Sequence, residues 1–153
     1  MTRTKVLAMS IVTLIMFSVT AMSMGAPVEG KDISAVDREL GEELVSRVID
    51  AYENFTISGF LAVVSNDYAP DRMQLANSVA ESYYDSIVLG MDHFMDKVSR
   101  EGDTIALGFK WQKTVQDKDA GNSVMTEGVS TFVFKKEKGE WKLTRLLGDN
   151  PFL

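Results

Sequence analysis

The sequence contains no cysteine. That absence excludes disulfides, thiolate nucleophiles, cysteine-ligated zinc and a lipidated N-terminal cysteine. Histidine occurs once, at His93, and no carboxylate–histidine pair at helical spacing is matched by a second elsewhere, so a metal site is not expected. There is no Gly-rich phosphate loop and no Gly-x-Ser-x-Gly elbow. Basic residues are the minority, 16 Lys and Arg against 22 Asp and Glu, and they form no block. Nucleic-acid binding, which needs clustered cations to replace phosphate counterions, is therefore excluded as an expectation. What is present is apolar: 45% of the 153 residues, enough for one packed domain and too many for a disordered chain.

The first segment reads as an address. Arg3 and Lys5 form a positive start, and Val6 to Met22 is apolar apart from Ser10, Thr13, Ser18 and Thr20. Ser23 and Gly25 put small residues at −3 and −1 of a cut before Ala26, the pattern of a cleaved secretory signal. The rival is an uncleaved anchor, since roughly 17 apolar residues lie at the short edge of what spans a bilayer. The expected division is a signal peptide over 1–25, a polar lead over 26–32, one domain over 33–150 and a tail over 151–153. Cleavage would remove two basic residues and no acidic ones, leaving 14 against 22, or −8. The expected location is periplasmic or secreted, with membrane contact through the first segment alone if it stays uncut.

Along the mature chain the apolar period starts near 3.6. Ser34 to Asp37 resembles a capping box, followed by Ile33, Val36, Leu40, Leu44, Val48 and Tyr52 on one stripe. Gly41 interrupts this helix and offers room for a close approach. A short second helix begins at Thr56 or Ser58 and runs through Phe60, Leu61 and Val64, until Asn66 to Pro70 breaks it. Asp71 caps a third helix with Leu75, Val79 and Tyr83 on one face. The period then falls to two. Strands are expected at about 86–99, 104–116, 123–136 and 140–148, joined by the turns Glu101-Gly102-Asp103, Asp117 to Asn122 and Lys138-Gly139. The expected fold class is α+β: three helices packed on one face of a curved four-strand antiparallel meander.

Alternation within the sheet nominates side chains. On the second strand Ile105, Leu107, Phe109 and Trp111 share a face. In the last hairpin, pairing Phe134 with Trp141 would oppose Phe132 to Leu143, Ser130 to Arg145 and Gly128 to Leu147 on the helix side. Ser130 and Arg145 would then lie on an apolar face, where a guanidinium needs a carboxylate, a carbonyl or an anionic ligand. The first strand reads in two ways: Met91, His93 and Met95 inward, or Val88, Asp92, Phe94 and Val98 inward, with a bulge able to switch between them. His93 has the chemistry of a proton carrier. Asp92 is a second candidate base. Tyr52, Tyr83 and Tyr84 are candidate wall residues.

The order of elements resembles the nuclear-transport-factor-2-like superfamily, in its SnoaL-like and ketosteroid-isomerase-like bacterial branches. The resemblance covers about 33–150. It is carried by Gly59-Phe60-Leu61 with Ser65-Asn66-Asp67-Tyr68, by Glu101 to Ala106, by Gly128 to Phe134 and by Gly139-Glu140-Trp141-Lys142-Leu143. It implies a cone: a sheet wrapped round the first helix, a pocket at the open end and a homodimer through the outer sheet face. Ketosteroid-isomerase-like members use a tyrosine with acidic residues, and no such set matches here residue by residue.

Three functional readings follow. The first is a non-catalytic binding domain for a small apolar or anionic ligand or a protein partner, without cofactor. Its wall would be Met91, Phe109, Trp111, Phe132, Trp141 and Tyr84, with Ser130 and Arg145 as polar contacts. The second is a cofactor-independent lyase or isomerase with His93 or Asp92 as base and Tyr52 or Arg145 stabilising an enolate. The third is a structural dimer whose interior is filled by its own side chains. Reach from His93 or Asp92 to Tyr52 or Arg145 across an open cavity separates the first two.

Overall fold

The computed structural model describes residues 34–153. The expected signal peptide, the polar lead and Ile33 lie outside the described residues. Three helices, α1 (Ala35–Glu53), α2 (Ile57–Val63) and α3 (Arg72–Asp85), accompany five strands. These are β1 (Val64–Ala69), β2 (Ser86–Glu101), β3 (Thr104–Asp117), β4 (Ser123–Glu137) and β5 (Glu140–Gly148). Among the described residues no helix is long and apolar enough to cross a membrane.

The caps behave as their chemistry requires. Ser34 Oγ accepts the Asp37 backbone N–H, and Asp71 Oδ1 accepts those of Met73 and Gln74. The α1 stripe is wider than its sequence period suggested. Gly41, Leu44, Val45, Val48, Ile49 and Tyr52 are buried, whereas Val36 is exposed. At Gly41 an added Cβ would stand 2.9 Å from Leu107 Cδ2, so the helix lies close over β3.

The sheet has five strands in the order β1-β5-β4-β3-β2, not four. β1 lies parallel to β5 at the edge and meets it at Val64–Leu143 and Ala69–Arg145, with an irregularity between. Asn66 and Asp67 are poor strand formers, which hides this strand in the sequence. Ser65 makes it workable: its hydroxyl accepts the Asp67 N–H and donates to Glu137 Oε1. The remaining strands form the expected meander, and β2 bulges twice, near Leu89 and near Asp96. Those bulges place Val88, Met91, His93, Met95 and Val98 toward the helices in turn.

The last hairpin corrects the expected register. Phe134 pairs with Leu143, Phe132 with Leu146 and Ser130 with Gly148, and an irregularity falls between Val133 and Phe134. The extra residue, Thr144, shifts the alternation by one position. Leu143 and Leu146 therefore turn inward, and Arg145 and Leu147 turn outward. Arg145 is thus an exposed residue of the outer face, opposite Val133, and not a buried cation.

Of residues 151–153, expected as a tail, Pro151 and Phe152 are buried and Leu153 is exposed. Gly148 adopts φ 84°, where an added Cβ would stand 2.5 Å from the Val129 carbonyl oxygen. The turn directs Pro151 and Phe152 back under the sheet, and Phe152 is fully buried.

Candidate functional site

The inner face of β3 carries Ile105, Leu107, Phe109, Trp111 and Lys113 in alternation. Four are core residues. The fifth is a lysine, only 2% exposed. Its ammonium donates a hydrogen bond to the Leu153 main-chain oxygen and lies 5.8 Å from the centre of the Tyr52 ring. No Asp or Glu side chain among the described residues comes within ion-pair distance of it. Burial pushes its pKa down to about 8, because removing water disfavours the charged form.

Beside Lys113 the Phe152 ring sits in an aromatic socket. Its centre is 4.9 Å from that of Phe60, 5.1 Å from that of Tyr52 and 5.8 Å from that of Phe132. Phe109 packs edge-on against Phe132 at 4.6 Å and extends the socket floor. Tyr52 Oη and Ser82 Oγ are 2.7 Å apart, and Tyr83 Oη donates to the Tyr52 carbonyl at 2.5 Å. Burial raises the pKa of both phenols, so neither ionises near neutral pH.

The segment bearing Phe152 is held at its root. Ser130 Oγ donates to the Asp149 carbonyl and accepts the Trp111 indole N–H at 2.8 Å. The Val129 N–H donates to Asp149 Oδ2 at 2.9 Å, and Asn150 Oδ1 accepts the Phe152 N–H. Two clefts flank this segment. One, of about 260 Å³, is bordered by Ser82, Glu81, Asp85, Lys113 and Val115. The other, of about 240 Å³, is bordered by Tyr68, Gln74, Leu75 and Leu146. Ser78 and Leu153 border both.

Compared by sequence alone, the chain matches no family model and no curated protein. Solved structures do match in three dimensions. A nuclear transport factor 2-like superfamily protein from Salmonella enterica superposes with a TM-score of 0.62 at 16% identity, covering 77% of this chain and 92% of that one. A ketosteroid isomerase-like protein from Erwinia carotovora gives 0.60 at 17% identity, with 74% and 96% covered. A nuclear-transport-factor-2-like protein of unknown function from Shewanella oneidensis gives 0.56 at 9% identity, with 74% and 98% covered. This chain has the nuclear-transport-factor-2-like fold.

Within that fold the nominated residues part company. Met91, Phe109, Trp111, Ser130, Phe132 and Tyr52 gather around Lys113 and Phe152: Met91 pairs with Lys113 across the strands, and Phe109 with Ser130. His93 also faces inward, but its Nε2 meets Glu42 Oε2 at 3.1 Å and its ring stands edge-on to Phe109. It borders neither cleft. Asp92 is exposed. Tyr84 is 82% exposed, because one step of about 100° beyond Tyr83 takes it off the buried stripe of α3. Trp141 is half-buried at the opposite end of the sheet, under the Arg100 guanidinium at 5.6 Å. Lys113, Ser82 and Phe152 were not nominated. The alternation that selects Phe109 and Trp111 reaches Lys113 when carried one step further, and Pro-Phe-Leu after a strand-ending glycine is an apolar return signal.

Proposed function

We propose that this protein is an exported, non-catalytic domain that binds a small apolar molecule in the socket beside Lys113. One observation carries the reading. The end of the interior nearest α3 is filled by Phe152, a ring from beyond the last strand, and not by a helix or sheet residue. Clefts lie on both sides of it, and a molecule entering between Tyr52, Phe60 and Phe132 would replace one aromatic group by another.

The fold hosts unrelated activities, so the site has to decide between them. An isomerase would need His93 or Asp92 within reach of Tyr52 or Arg145. His93 is engaged by Glu42, Asp92 and Arg145 face outward, and the Tyr52 hydroxyl is engaged by Ser82. Those positions weigh against proton transfer and favour binding. A second reading has support from Phe152 itself: a structural dimer whose interior is permanently filled.

Export rests on Arg3, Lys5, the apolar run after them and the small residues before Ala26. A homodimer through the outer sheet face is supported by Phe94, Met125, Val129 and Leu147, all about half exposed or more. Native mass spectrometry of the protein purified from its own host tests the whole reading. The expected species is a dimer of chains starting at Ala26 that releases a small molecule on gentle activation. A mass including Met1 contradicts export with cleavage, and a ligand-free dimer that excludes added apolar probes favours the filled-interior reading.

A further inference from the structure

We infer that the socket selects aromatic monocarboxylates, and that residues 151–153 are their resident mimic: Phe152 takes the place of the aryl group and the Leu153 main-chain oxygen that of the carboxylate. The inference rests on the binding reading above and names its ligand class.

A buried ammonium is costly unless hydrogen-bonded and paired. Lys113 has the first in Leu153 and the Tyr52 ring face as a weak second partner. No Asp or Glu side chain among the described residues pairs with it. A ligand carboxylate would meet the ammonium in the place of the Leu153 main-chain oxygen, and charge-assisted bonds are roughly twice as strong as neutral ones. The ammonium and the Phe152 ring lie on the same tyrosine, 5.8 Å and 5.1 Å from its ring centre. An aryl group a few bonds from a carboxylate spans them.

The rim restricts the charge. Glu81 and Asp85 of α3 border the cleft that opens on Lys113. A second negative group near the entrance would meet like charge, so the ligand carries one anion and carries it inward. Size also fits. Each cleft alone is smaller than the ~300 Å³ at which small-molecule pockets begin. With 151–153 displaced, they join along Ser78.

The test uses 3-phenylpropanoate and its uncharged counterpart 3-phenylpropan-1-ol. Both are titrated calorimetrically into the unsubstituted protein, Phe152→Ala, and Phe152→Ala combined with Lys113→Met. Phe152→Ala is expected to bind the carboxylate at least tenfold more tightly than the unsubstituted protein does, and at least tenfold more tightly than the alcohol. Adding Lys113→Met is expected to abolish that preference. Equal affinity of folded Phe152→Ala for both probes overturns the anion selection and leaves the binding reading standing. No binding of either probe overturns both. Should Phe152→Ala fail to fold by circular dichroism, Phe152→Leu, which keeps an apolar contact in the socket, carries the same comparison.

Discussion

Phe152 lies against Tyr52 with ring centres 5.1 Å apart and planes inclined at 56°, although 100 positions separate them in the chain. The contact joins the last turn of α1 to the residues beyond β5. It closes the interior at the end where Lys113 stands. Stability and binding meet at this contact, because whatever holds Phe152 in place also keeps a ligand out.

The first consequence concerns stability. Truncating a fully buried phenylalanine removes its transfer energy and leaves a cavity, typically about 3 kcal/mol or more. Phe152→Ala is expected to lower unfolding free energy by about 3 kcal/mol in urea titrations. The loss should shrink when a ligand refills the socket. A change below about 1 kcal/mol would mean that the segment contributes little to the core.

Lys113 sets a pH dependence. Its ordinary pKa of 10.5 falls to about 8 in the fold, so between those values the unfolded chain holds more protons. Stability therefore rises with pH across that window, and below about 8 the full cost of burying the charge is present. Burial pushes the pKa of Tyr52 of α1 upward. Glu81 and Asp85 of α3 border the cleft that opens on Lys113. Lys113→Met should stabilise the protein at neutral pH and remove the rise between pH ~8 and ~10.5, as followed by urea unfolding at several pH values. Carboxylate binding should weaken as the pH rises above about 8, whereas alcohol binding should not.

Ser130 links the indole of Trp111 to the Asp149 carbonyl. Ser130→Ala leaves the buried Trp111 indole N–H without its acceptor, at about 1–3 kcal/mol. The root of the 149–153 segment should loosen with it. Hydrogen exchange at the Phe152 amide, which donates to Asn150 Oδ1, should accelerate more than exchange in α1.

The outer face gives a separable test. Val129→Glu places a charge amid Phe94, Met125 and Leu147 without touching the socket. It is expected to shift the protein to monomer in sedimentation velocity while leaving probe binding within about twofold. An unchanged oligomeric state would remove this face as the interface.

Much of the fold was legible because the period changes once, from helical before Asp85 to alternating after it. Ser34 and Asp71 marked their helices through a side-chain oxygen at the right offset. The failures share a cause: one-residue irregularities. Thr144 adds a residue to β5, and every side chain after it changes face, which removed Arg145 from the site. β1 stayed hidden because an edge strand pairing at two points can carry Asn66 and Asp67. Alternation puts Lys113 beside Trp111, but a lysine on an apolar face runs against composition. Residue type nominates Tyr84 for a wall, and helical phase takes it off the buried stripe. The socket itself was invisible, because it depends on a contact across 100 residues.

The central claim is that a small molecule can take the place of Phe152. The most direct measurement is an NMR titration of the unsubstituted protein with 3-phenylpropanoate, following the Phe152 and Tyr52 rings, the Trp111 indole N–H and the His93 ring. The account predicts saturable shifts at Phe152, Tyr52 and Trp111, with Phe152 moving toward solvent-exposed values and His93 unchanged. Saturable shifts confined to His93, or none at Phe152 up to the solubility of the probe, would contradict it.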